Sequence, residues 1–164
     1  MQAKIRLVSV EKSKTKSTEP FGKIIVNSSR LKSTVVNASE VPSLIDELPV
    51  LMVAACFAQG KTIIKGVGEL RVKETDRINS NLMNLLRMGA DIRMVKTGNR
   101  EDIVIQGKGA LRGARLKSFG DHRTAMSMVV AAMAAEGQSR IDDIGCINKS
   151  FPGFIATLKK LDKN

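Results

Sequence analysis

The chain has no tryptophan, no tyrosine and a single histidine. Aromatic residues make up 3% of it, so platforms for stacking single-stranded bases are scarce. The two cysteines, Cys56 and Cys146, stand in no metal-ligand or redox spacing, and Cys56 reads most simply as a small buried hydrophobe. No metal cluster and no Ser-His-Asp or Cys-His nucleophile arrangement is visible, so no metal is expected at the site. The lone His122 is given a supporting role at most. Met1–Val10 alternates charged and apolar residues, unlike a secretory signal. The longest apolar runs, 48–58 and 125–135, are too short to span a bilayer. No membrane partner is expected, and a reducing cytoplasm fits best.

What is present is basic and apolar. The 164 residues suffice for one domain with a core, and 43% hydrophobic residues argue against disorder. The net charge of +11 calls for anionic partners. Nucleic acid is the usual first guess for such a balance, but the Lys and Arg residues are dispersed apart from Lys12, Lys14 and Lys16.

Strands are expected at 4–10, 23–26 and 33–38, with Glu11–Phe21 as a polar connecting loop. An apolar helix over 48–58 carries Pro49 in its first turn and stops at Gly60. A strand follows at 61–65. Thr75 is expected to cap an amphipathic helix to Met88, with Ile78, Leu82, Leu85 and Leu86 on one face. Strands at 91–95 and 102–106 form a hairpin around Gly98. A helix over 122–136 stops at Gly137, a strand covers 139–143, and a last helix starts near Ser150 with Pro152 in its first turn. Phe151, Phe154, Ile155, Leu158 and Leu161 form its apolar stripe.

A repeat underlies this order. Shifting by 77 residues lays Ala54, Ala55, Ala58, Gly60 and Gly68 on Ala131, Ala132, Ala135, Gly137 and Gly145. Each copy reads helix, strand, loop, helix, and its first helix is apolar nearly all round, hence buried. The expected fold is a layered α/β domain with buried helices covered by strands and amphipathic helices.

Two motifs concentrate the chemistry: Lys73-Glu74-Thr75-Asp76-Arg77 and Asp121-His122-Arg123. Each is placed at a helix start, and together they are expected to set Lys73, Arg77 and Arg123 beside Asp121, Glu74 and Asp76. A cation at a helix start is disfavoured by the dipole, so two of them call for an anion. Arg holds carboxylate or phosphate through two parallel hydrogen bonds. Taken singly, Arg77 is an ordinary surface residue, Asp121 an N-cap, Lys149 a solvated lysine and Asp46 a dipole-matched carboxylate or a general base. Glu74, among cations, is the better proton-transfer candidate.

Leu44-Ile45-Asp46-Glu47, Leu70–Arg77, Gly120–Met126 and Lys149-Ser150-Phe151-Pro152 together resemble the C-terminal half of the 5-enolpyruvylshikimate-3-phosphate (EPSP) synthases. Order and spacing agree from Leu44 onward. The enolpyruvyl transferase acting on UDP-N-acetylglucosamine shares the fold but lacks this motif pair. The resemblance implies one domain of a two-domain fold built from repeated βαβαββ units around buried helices. It implies transfer of the enolpyruvyl group of phosphoenolpyruvate to the 5-hydroxyl of shikimate 3-phosphate, with release of phosphate and no cofactor. It assigns Arg77, Arg123 and Lys149 to phosphoenolpyruvate. Asp46, Lys73 and Glu69 fall to shikimate 3-phosphate, Asp46 also serving as base for the 5-hydroxyl. Glu74 falls to proton transfer at the methylene carbon, and glyphosate would compete at the same cations. Only the later part of the family sequence is matched. Residues 1–164 are therefore expected to be a partial C-terminal domain that lacks its N-terminal partner domain and turns over nothing alone. The alternatives are a basic nucleic-acid-binding module and a non-catalytic remnant on the same fold. A cluster with embedded carboxylates distinguishes the enzyme from the nucleic-acid module.

Overall fold

The computed structural model describes residues 1–11 and 21–161. Lys12, Lys14, Lys16 and nearly all of the expected loop Glu11–Phe21 lie outside the described residues. Strands β1 (Lys4–Glu11) and β2 (Phe21–Asn27) pair antiparallel, with Ile5 opposite Val26 and Leu7 opposite Ile24, all four exposed.

The next segment is one complete unit. It runs β3 (Val35–Val36), α1 (Val41–Leu44), α2 (Leu48–Phe57), β4 (Gly60–Ile64), a 3-10 turn (Gly68–Val72), α3 (Arg77–Arg87), β5 (Asp91–Thr97) and β6 (Arg100–Gly107). Apart from the one-turn α1, which the pattern did not reveal, this is the expected βαβαββ order. Its sheet is ordered β3-β4-β6-β5, parallel between β3 and β4 and antiparallel elsewhere. The second unit begins with β7 (Arg115–Leu116), α4 (His122–Ala134), β8 (Arg140–Ile141), a 3-10 turn (Gly145–Lys149) and α5 (Phe154–Leu161). The 77-residue shift lays one 3-10 turn on the other and the first residue of α3 on the first of α5.

The core lies around α2, which packs on the four-stranded sheet and on α4. Leu48, Met52 and Ala55 of α2 meet Ile64, Ile103 and Ile105 of the sheet, all fully buried. Each such aliphatic side chain contributes about 1.5–3 kcal/mol. Gly107 permits the closest approach: a Cβ there would lie 1.7 Å from the Ala58 carbonyl oxygen. Because β6 comes this near, the Lys108 N–H reaches the Cys56 carbonyl at 3.0 Å and satisfies the end of α2.

Several expectations need correction. Helix α2 ends at Phe57 with Ala58 extended, and Gly60 (φ +95°) opens β4 instead of stopping the helix. Likewise α4 ends at Ala134, before Gly137. Helix α4 is not buried all round; Thr124, Ala125, Ser127, Met128 and Ala131 are covered while Met133 is half exposed. Strands β3 and β8 are only two residues long, because Asn37 and Asp142 turn the chain with local hydrogen bonds. Asp76, not Thr75, caps α3: its carboxylate accepts the Asn79 N–H at 3.0 Å. Helix α3 buries Ser80, Asn81 and Asn84 beside Ile78 and Leu85, while Leu86 faces out. Its end was legible: Gly89 (φ +83°) donates to Leu86 and Ala90 to Leu85, a Schellman stop. Helix α5 starts at Phe154, after Pro152, and none of its apolar stripe is fully buried.

Candidate active site

Three separate segments bring charge to one place. Asp46 and Glu47 lie in the turn between α1 and α2. Glu74 and Arg77 flank the N-cap of α3, Arg77 being its first helical residue. Asp121 caps α4, accepting the Thr124 N–H at 2.9 Å, and Arg123 follows in the first turn. The approach to Asp121 is constrained. Phe119 (φ +56°) and Gly120 (φ +70°) are consecutively left-handed, an unusual state for a bulky side chain. That turn directs the Asp121 carboxylate inward, where it is completely buried.

Arg77 is the hub. Its side chain is 1% exposed, and each guanidinium nitrogen donates to a different carboxylate. Nε reaches Asp121 at 2.8 Å, Nη1 reaches Asp46 at 2.8 Å and Nη2 reaches Glu74 at 2.5 Å. Burial alone would lower the Arg77 pKa, but the hydrogen bonds to Asp121 and Asp46 and the charges of Asp121 and Glu74 raise it instead. Asp46 also bridges to Arg123, 3.4 Å away, whose other nitrogen holds Glu47 at 3.3 Å. Burial would raise the Asp46 carboxyl; the Arg77 hydrogen bond and the charges of Arg123, Arg77 and Lys73 outweigh it and hold it below its ordinary value. Arg123 is less satisfied than Arg77: its Nε is buried without a partner and its two ion pairs are long. Hydroxyls of Ser80 and Thr124, 3.1 Å apart, tie α3 to α4 behind the cluster.

The structure therefore brings Asp46, Glu74, Arg77 and Arg123 together, with Lys73 within electrostatic reach of Asp46. Glu69 is paired with Lys73 at 3.1 Å and faces a different cleft, beside Gly66 and Arg100. Lys149 is exposed at the end of its 3-10 turn and makes no ion pair with any described residue. That turn is anchored near the cluster, because Cys146 and Ile147 pack on Ala125, two residues from Arg123. Asp76 is not a member of the cluster. It is held by Arg71 at 2.6 Å, which also grips Glu101 through two nitrogens, at 2.7 and 3.1 Å. Asp121, expected beside the cluster's cations from the Asp-His-Arg motif, is the buried partner of Arg77, while Glu47, which the motif pair does not indicate, holds Arg123.

Chemically, the cluster holds both a buried and two half-exposed carboxylates around its cations. Arg123, whose Nη groups hold only two long ion pairs, can exchange them for an incoming oxyanion. Glu74 and Asp46, each about half exposed, are the carboxylates that a solvent-side ligand can reach.

Comparison with known proteins gives a consistent result. The family model for EPSP synthase (3-phosphoshikimate 1-carboxyvinyltransferase) matches residues 2–158. A 3-phosphoshikimate 1-carboxyvinyltransferase of Syntrophomonas wolfei is 46% identical over 162 residues, 98% of this chain and 36% of that protein. One from Geobacter sulfurreducens is 47% identical over 145 residues, 88% of this chain and 33% of that protein. Among solved structures, an EPSP synthase from Acinetobacter baumannii superimposes with a TM-score of 0.85 at 32% identity, covering 96% of this chain and 36% of that one. The chain thus spans about a third of the length of the relatives it matches.

Proposed function

Since the chain belongs to the EPSP synthase family, we propose that it carries the phosphoenolpyruvate-binding and proton-transfer wall of a 3-phosphoshikimate 1-carboxyvinyltransferase. In this reading residues 1–164 are part of the C-terminal domain, and a cytoplasmic N-terminal domain supplies the facing wall of the cleft. Arg77, Arg123 and Lys149 hold the carboxylate and phosphate of phosphoenolpyruvate. Asp46, Lys73 and Glu69 serve shikimate 3-phosphate. Asp46 takes the proton of the 5-hydroxyl as its oxygen adds to C2 of phosphoenolpyruvate, and Glu74 gives a proton to C3. The tetrahedral ketal then breaks its bond to phosphate, phosphate leaves, and Glu74 recovers the C3 proton. No step calls on a cofactor.

The observation that carries this reading is the set of direct ion pairs joining segments 46–47, 74–77 and 121–123. They also suggest how the site changes on binding. Asp46 and Glu74 engage these cations directly. When phosphoenolpyruvate draws Arg123 and Arg77 toward itself, the main cause of the low Asp46 pKa weakens and its proton affinity rises. The base thus becomes competent as its co-substrate arrives. Carboxylates embedded among these cations would repel a polyphosphate backbone, which weighs against a nucleic-acid interface.

Titration of the chain with phosphoenolpyruvate, followed by amide NMR, tests the assignment. Shifts at Arg123 and Thr124 are expected, and Arg123→Ala should weaken binding about tenfold or more, the worth of a charge-assisted bidentate contact. Binding indifferent to Arg123→Ala and to Lys149→Ala would refute it. The chain alone is expected to release no phosphate from the two substrates; steady release would show the facing domain to be dispensable.

A further inference from the structure

The β7–β8 pair presents a second group of cations that the proposed reaction leaves unused. Arg115 and Arg140 stand directly opposite each other in the parallel ladder. Lys117, two residues beyond Arg115, projects from the same face. Arg87, the last residue of α3, completes the group. These four, with Leu116 and Asp142, line a cleft of about 660 Å³. Arg87 and Arg77 sit at opposite ends of the 11-residue α3, about 15 Å apart along its axis.

None of the four makes an ion pair with a described residue, whereas Arg71, Lys73, Arg77, Arg100 and Arg123 all hold carboxylates. The one carboxylate in the cleft, Asp142, is held by backbone groups, and its charge also acts on Lys117. Asp142 Oδ1 accepts the backbone N–H groups of Ser118 at 2.8 Å and Asp143 at 2.7 Å. Like charges facing each other across a ladder are destabilising. The first unit shows that the fold does not require them, since the equivalent rung there is Val35 opposite Ile63. Where the first unit has an apolar pair the second has two guanidiniums, with two more cations lining the same space. An oxyanion bridging them removes the repulsion and fills the donors. The cleft is of small-molecule size, and its four cations, a net charge of about three once Asp142 is counted, match a di- or triphosphate group, which guanidinium forks grip bidentately.

We propose that this cleft is a second binding site, for the polyphosphate group of a small molecule, distinct from the Arg77 cluster and independent of the function assigned to it. Calorimetric titration of the chain with inorganic tripolyphosphate and, in a second arm, with a nucleoside triphosphate tests this. The double variant Arg115→Val/Arg140→Ile, which installs the residues of the first unit, should lose at least tenfold in tripolyphosphate affinity. A charge-matched control, Arg6→Gln/Lys23→Gln on the exposed β1–β2 pair, should lose less than threefold. Equal affinity for the two probes identifies the phosphate chain as the recognised group; tighter nucleotide binding, lost in the same double variant, identifies a nucleotide. Equal losses in the double variant and the control would reduce the effect to net charge and overturn the proposal. So would duplex DNA binding that alone responds to the double variant.

Discussion

Arg77 and Arg115 carry the same charge in opposite circumstances. Arg77 is buried and touches three carboxylates from three segments; Arg115 is exposed, touches none and faces another arginine. The difference lies in what each charge is built to do. In the first cluster the protein supplies its own counter-ions, so the cations are ordered by the chain itself, and under the proposed function binding would be an exchange of partners. On the β7–β8 face the four cations have only Asp142 beside them, and it forms no direct ion pair with them, so an anion would be gained without displacing a bound carboxylate. The largest test of the contrast is Asp121→Ala. It strips the buried Arg77 of its one fully desolvated partner and removes the cap of α4. Breaking a buried pair costs about 3–5 kcal/mol, and a lost cap about 1 kcal/mol more. Urea unfolding should show a loss in that range. A loss below about 1 kcal/mol would mean that Asp46 and Glu74 suffice for Arg77, and that burial is not what distinguishes the two clusters.

A smaller effect is expected at the rim. Asp46 is held below its ordinary pKa of 3.8: burial pushes it up, but the Arg77 hydrogen bond and the Arg123, Arg77 and Lys73 charges prevail. A carboxyl depressed in the folded state stabilises the fold fully above its unfolded pKa, and that contribution is lost as pH falls through the folded value. Asp46→Asn should therefore cost up to about 1 kcal/mol near pH 7, the scale of a partly exposed pair. The wild-type and variant unfolding curves should converge as pH drops below 3.8. Asp102, similarly depressed by partners of its own, is unchanged in both proteins, so the difference isolates Asp46. Curves that stay parallel into acid would place Asp46 outside the network.

The order of elements and the repeat were legible because they rest on local signals: apolar runs, positive-φ glycines such as Gly89 and Gly98, and prolines in first turns. The motif pair also pointed to the charged cluster, and four of the candidate site residues do meet. What local reasoning missed is decided by partners distant in sequence. The burial of Asn84 depends on the Lys117 backbone, which it pairs through both a donor and an acceptor. The saturation of Arg77 depends on Asp46 and Asp121, 31 and 44 residues away. Adjacency in the chain suggests Asp76 as part of the cluster, yet its carboxylate pairs with Arg71 instead. No periodicity encodes such choices. Nor did the sequence betray the opposed arginines, because the register that makes Arg115 face Arg140 exists only once β7 and β8 pair.

That register yields the smallest and most discriminating effect on stability. Replacing Arg115 and Arg140 by the Val and Ile of the equivalent rung removes a like-charge contact and adds β-branched packing. In dilute buffer without phosphate the double variant should be more stable than the parent by about 0.5 kcal/mol. The gain should shrink as salt screens the parent's repulsion, since exposed charges at this distance feel the Debye length. It should also reverse in millimolar tripolyphosphate, where only the parent gains by linkage to a bound anion. A stability gain that ignores both salt and tripolyphosphate would trace to packing alone. The two cation groups would then differ in burial but not in purpose, and the β7–β8 face would be an ordinary solvated surface.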